Sequence, residues 1–149
     1  MSKNLAFGTQ LIGQTEKALG AILDRLLAGT GVSERQWVAL RITAMSGGTV
    51  ARDELIRRVA AALKVTRNEA GARIDELAAA GLVDLSADAP AALTAAGQEL
   101  HDRILGGTSA VTQRLWGDLP ADELETAARV LATVLARANE EVAAAPAAA

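Results

Sequence analysis

The sequence predicts a mainly α-helical fold carrying one short β-hairpin, and three observations support that reading. Apolar residues recur at three- and four-residue steps through most of the chain. Two capping boxes, Ser33-Glu34-Arg35-Gln36 and Thr66-Arg67-Asn68-Glu69, each open a helix. Only one stretch, residues 82–93, alternates and then turns back as a hairpin would.

In order along the chain, residues 5–28 form an amphipathic helix through Leu11, Ile12, Thr15, Leu19, Ile22, Leu23, Leu26 and Leu27, stopped by Gly29-Thr30-Gly31. The helix opened by Ser33 carries Trp37, Val38, Leu40, Ile42 and Met45 and ends at Ser46-Gly47-Gly48. Thr49-Val50 is a short β candidate, and residues 52–63 form a helix with Leu55, Ile56, Val59 and Leu63 on one side. The helix opened by Thr66 is buried through Ala70, Ile74 and Leu77. Gly81 closes it with the left-handed cap that glycine adopts cheaply. Leu82-Val83-Asp84-Leu85 alternates like a strand, Ser86 to Pro90 turns, and Ala91-Ala92-Leu93 returns. Thr94 caps a helix to about Trp116. After Gly117-Asp118-Leu119-Pro120 a last helix carries Leu124, Ala127, Ala128, Leu131, Val134, Leu135 and Ala138. Two central helices joined tightly at Lys64-Val65 and followed by a hairpin make a winged helix-turn-helix, flanked by long N- and C-terminal helices.

Composition narrows the function. The chain has 149 residues, half of them apolar, enough for a packed domain. It has no apolar run of membrane-spanning length and no signal peptide within Met1 to Gln10, so no membrane partner is expected and the cytoplasm is the expected location. With no cysteine, thiolate chemistry is excluded; with His101 alone, so is a multi-histidine metal site. No cofactor is implied. Ser33, Ser46, Ser86 and Ser109 have no histidine partner by sequence logic, and no glycine-rich phosphate loop is present. Asp122-Glu123 and Glu140-Glu141 read as solvated, dipole-matching charges at helix ends. An enzyme is therefore not expected. Phe7, Trp37 and Trp116 are too few for a single-strand stacking platform. The net charge of −3 conceals an asymmetry. Arg52 to Arg73 contains six basic and three acidic residues, or +3, leaving nine basic and fifteen acidic residues, or −6, elsewhere. A basic middle in an acidic frame is an electrostatic footprint for a phosphate backbone.

Two stretches carry a resemblance: Ile74-Asp75-Glu76-Leu77-Ala78-Ala79-Ala80-Gly81-Leu82-Val83, and Leu93-Thr94-Ala95-Ala96-Gly97. With them in place, the chain from about Leu5 to Val142 resembles the MarR-family regulators. The first matches the end of that family's recognition helix and the start of its wing, and the second the Leu-Thr-x-x-Gly that closes the wing. The resemblance implies one domain over residues 1–149. Within it, about 5–31 and 98–142 are dimerisation helices, about 33–97 the winged helix-turn-helix, and 143–149 a low-complexity tail with no reason to pack. It implies a homodimer on double-stranded DNA, its recognition helices in successive major grooves about 34–36 Å apart, reading a pseudo-palindromic operator. Three features depart from the family. The wing turn Ser86-Ala87-Asp88-Ala89-Pro90 carries an acid where an arginine is usual. Gly71 and Ala72 stand where a hydroxyl and a basic residue are frequent. The helix Leu55 to Leu63 reads as about one turn longer than usual.

Arg67, Asn68 and Arg73 are the candidates for the DNA face. Arginine can pair bidentately with guanine and asparagine with adenine, although residues beside a cap are often merely solvated. Arg52, Arg57, Arg58 and Lys64 are candidates for phosphate contacts, which position without reading. Adjacent Arg57 and Arg58 cannot face the same way, so one of them is expected to be simply solvated. Glu69 reads as structural, through its capping box. The resemblance further implies a small aromatic or anionic effector held near the dimer seam, with Trp37, Arg41 and His101 as candidates; the plainer reading makes Trp37 core and His101 a satisfied surface or interface residue. The leading expectation is a ligand-responsive repressor. The alternative is a winged-helix ligand-binding or interaction scaffold with weak, sequence-blind DNA binding, motivated by the acidic wing and the small Gly71 and Ala72.

Overall fold

The computed structural model describes residues 4–86 and 88–144, in two compact units, Met1–Ser109 and Ala110–Ala149. Its elements are α1 (Thr9–Leu27), α2 (Glu34–Met45), β1 (Thr49–Val50), α3 (Arg52–Leu63), α4 (Arg67–Ala79), β2 (Val83–Asp84), β3 (Ala91–Leu93), α5 (Ala95–Trp116) and α6 (Ala121–Ala144). This is a mainly helical fold with a three-stranded antiparallel sheet of order β1-β3-β2, as expected.

Each helix of the first unit begins or stops for a local reason. α1 starts at Thr9, four residues later than expected, because Gly8 is extended and its carbonyl accepts the first helical bond, from the Ile12 N–H (3.0 Å). Beyond Leu27 the Thr30 hydroxyl donates to the Leu27 carbonyl (2.6 Å) and accepts from the Val32 N–H (3.1 Å), turning the chain toward α2. Both capping boxes form. The Gln36 N–H donates to Ser33 Oγ (3.2 Å) while the Ser33 N–H donates to Gln36 Oε1 (2.9 Å). Thr66 and Glu69 repeat the exchange at 3.1 and 3.0 Å. Between α3 and α4, Lys64 takes a left-handed conformation (φ 57°), unusual for a side chain of its length, and so makes the tight connection of the helix-turn-helix. α4 ends at Gly81, with φ 77°.

The core of this unit lies where the sequence periodicity puts it. Leu40, Leu55, Val59, Ile74 and Leu77 are fully or almost fully buried, with Leu27, Val83, Ala91, Leu100 and Ile104 completing the cluster. Truncating one of these leucines or isoleucines to alanine costs about 2–5 kcal/mol. β3 is the central strand, pairing Thr49 with Ala92 and Val50 with Ala91 on one side, and Val83 with Leu93 and Asp84 with Ala92 on the other. β2 is thus shorter than the alternation of residues 82–85 suggested. Thr94 closes the hairpin: its hydroxyl donates to the Gly81 carbonyl (2.7 Å) and accepts from the Gly97 N–H (3.0 Å).

The second unit contains the end of α5 and all of α6. No residue of α6 is buried. Leu131, Leu135 and Val142 are exposed on it, as are Leu115, Trp116 and Leu119 before it. Ala143 and Ala144 continue α6, and the rest of the low-complexity tail lies outside the described residues. No described helix is long and apolar enough to cross a membrane.

Candidate nucleic-acid interface

The first turn of α4 presents a basic, hydrogen-bonding end to solvent. Thr66 and Glu69 use their side chains to cap the helix, leaving Arg67 and Asn68, the two residues between them, exposed. Neither forms an ion pair or side-chain hydrogen bond among the described residues, and the same holds for Lys64 in the preceding turn. The hydrogen bonds from Thr66, backbone first, hold the Glu69 carboxyl below its ordinary pKa, with Arg35 and Arg73 adding charge attraction. Glu69 therefore stays ionised and committed to the cap at neutral pH. Arg35, exposed at the start of α2, belongs to this basic surface through its field on Glu69. Sequence reasoning missed it, because two helices and a strand separate it from α4 in the chain; its place in the Ser33 capping box was the one available signal.

The other cations of the basic window have partners. Arg52 pairs with Asp75 (3.1 Å) at the surface, tying the start of α3 to α4. Arg57 pairs with Glu54 one turn back, its Nε 2.9 Å from the carboxylate, and this pairing lowers the Glu54 pKa and raises that of Arg57. Arg58 turns inward and donates to the Ser46 hydroxyl (2.7 Å), which itself donates to the Ile42 carbonyl (2.7 Å), so it pins α3 to the end of α2. Arg73 is half-buried, donates to Glu76 (2.8 Å) and has a buried Nε without a partner. Glu76 also accepts from Gln36 Nε2, linking α4 to α2. Of the adjacent arginines it is thus Arg57 that faces solvent, and Arg58 that faces in.

On α2 and α5, Trp37 and His101 are both buried and stack on each other, with ring centroids 5.5 Å apart and planes 20° from parallel. Both His101 ring nitrogens are buried without a hydrogen-bond partner; Nδ1 lies 3.5 Å from the exposed Asp102 carboxylate. Arg41, one turn beyond Trp37, is half-buried and makes no ion pair among the described residues.

No protein-family model matches the chain, and no curated protein matches its sequence. Solved structures do match. CouR from Rhodococcus jostii, solved bound to p-coumaroyl-CoA, is 21% identical, with 89% of this chain and 95% of that one covered and a TM-score of 0.73. The Mycobacterium tuberculosis MarR-family protein Rv2887 in complex with DNA is 23% identical, covering 88% and 98% with a TM-score of 0.64. The same protein with salicylic acid is 26% identical, covering 83% and 94% with a TM-score of 0.58. The fold is that of the MarR-family transcriptional regulators. Within this MarR-type lobe the structure gathers Lys64, Arg67 and Asn68 at one end of α4 and sets Trp37 against His101 between α2 and α5. It directs Arg58 and Arg73 toward protein partners rather than toward solvent.

Proposed function

We propose that the chain is a DNA-binding transcriptional regulator: a cytoplasmic, homodimeric, ligand-responsive repressor that reads a pseudo-palindromic operator through the first turn of α4. The observation that carries this reading is the pair Arg67 and Asn68, unpaired and exposed at the start of the second helix of a helix-turn-helix. Both can make bidentate contacts to purine edges in the major groove, each worth about 1–3 kcal/mol of discrimination. Lys64, Arg57 and Arg35 supply phosphate contacts beside them, whereas Arg52 must leave Asp75 to join them. Arg58 ties α3 to the end of α2, and Arg73 is held by Glu76 on α4 itself. The DNA complex of Rv2887 supports docking by this fold.

The stacked Trp37 and His101, with Arg41 on the next turn, are the proposed effector site. The ligands of CouR and of Rv2887, p-coumaroyl-CoA and salicylic acid, support a compound that is aromatic and anionic. Such a ligand releases DNA only to the extent that it binds the non-DNA conformation better. The dimer is supported by the bare apolar face of α6.

A second reading, a scaffold without sequence reading, is favoured by the number of arginines already held by carboxylates or Ser46 and by the small Gly71 and Ala72. Titration against a duplex selected from a random-sequence pool and against its scramble, at two salt concentrations, separates the two. A regulator stays selective as salt rises, and Arg67→Ala removes that selectivity. A scaffold loses both duplexes together.

A further inference from the structure

We infer that the wing is an electrostatic standoff: Asp84 and Asp88 keep the hairpin tip away from DNA phosphates, so that contact with the duplex rests on the helices α2, α3 and α4. This inference rests on the DNA-binding reading above and specifies which part of the lobe does the binding.

The charge pattern is one-sided. Between Arg73 and Arg103 there is no lysine or arginine, while Asp75, Glu76, Asp84, Asp88, Glu99 and Asp102 all fall in that interval. Asp75 and Glu76 are answered by Arg52 and Arg73. Glu99 and Asp102 lie on α5, where Asp102 accepts from Gln98 (2.8 Å) and approaches His101. Asp84 and Asp88 belong to the hairpin, are exposed, and have no cation among the described residues.

The Asp84 carboxylate is also held in place, and the backbone turn sets where Asp88 sits. The Asp84 carboxylate accepts from the Ser86 N–H (3.1 Å) and the Ser86 hydroxyl (2.7 Å), which fixes it at the mouth of the turn. The Ala89 N–H donates to the Ser86 carbonyl (3.2 Å), and within that turn Asp88 sits at φ 66°, a conformation aspartate tolerates better than most residues. A duplex seated on α4 continues past the groove that the helix fills, with a negative charge about every 1.7 Å of its axis. A hairpin on the same lobe either neutralises that charge or repels it. Two unpaired carboxylates repel it over a range of about 8 Å at physiological salt.

The test is the double variant Asp84→Asn, Asp88→Asn. Asparagine keeps the acceptor that Ser86 uses and tolerates the left-handed turn, so the hairpin survives; an unchanged thermal melt verifies that. Wild type and variant are titrated on the selected duplex and its scramble at about 50 and 200 mM salt. The expected result is binding tighter by about threefold on both duplexes at the lower salt, with the gain shrinking at the higher. Unchanged affinity, or weaker binding on the selected duplex, overturns the standoff; the latter means that the wing carboxylates accept from bases. Failure of wild type to bind either duplex overturns the DNA-binding reading itself, a result separate from operator binding that the variant leaves unaltered.

Discussion

Glu69 shows how a single side chain divides structure from recognition at the start of α4. Its carboxylate closes the capping box on Thr66, and those hydrogen bonds hold its pKa below the ordinary value of 4.5. A depressed acid stabilises the fold above its unfolded pKa, and that contribution is lost as pH falls through the folded value. Glu54, held down by Arg57, acts in the same direction. Acidification from neutrality through the carboxylate range should therefore lower the melting temperature, and Glu69→Gln should flatten that dependence while keeping a capping acceptor. Equal slopes for wild type and Glu69→Gln would show that the cap carries no ionic share. Because Glu69 serves the backbone and Arg67 and Asn68 do not, the first turn of α4 is capped while those two side chains stay unpaired among the described residues.

Among the elements, the hairpin and its junction with α5 depend most on one small residue. A Cβ at Gly97 would run into the Leu82 carbonyl, which already accepts the Thr94 N–H (3.1 Å), and would lie 2.9 Å from Leu93 Cδ1. Gly97→Ala should thus cost about 1–3 kcal/mol in urea unfolding, as overpacking against backbone does. A change within about 0.5 kcal/mol, the range of an ordinary surface substitution, would show that α5 can shift to make room. Elements of this kind were legible in the sequence because their causes are local. Capping boxes, the Gly81 stop and the Leu-Thr-x-x-Gly turn each need only a few consecutive residues. The start of α1 was not legible, since the apolar pattern begins before Gly8 breaks the helix. The pairing of the arginines was not legible either. Arg52 meets Asp75 and Arg58 meets Ser46 across different helices, so charge counting over the Arg52–Arg73 window overstates what faces solvent. Arg35 was missed for the converse reason: it reaches the α4 surface from a distant part of the chain.

For the whole molecule, the second unit leaves an apolar face of α6 uncovered among the described residues. Leu124, Leu131, Leu135 and Val142 recur on α6 at seven-, four- and seven-residue steps, a stripe that in a soluble protein demands a partner. Leu131→Glu should convert the dimer to monomer in light scattering at micromolar concentration. A wild type that is already monomeric, or a variant that stays dimeric, would show that α6 does not hold a dimer together. A dimer matters because two α4 helices related by a two-fold axis can read two half-sites one helical turn apart, which one lobe cannot. Whether this lobe reads sequence is decided by titration on the selected and scrambled duplexes at rising salt. Selectivity that persists as salt rises, and disappears in Arg67→Ala, is the predicted result; affinity that falls equally for both duplexes would contradict it.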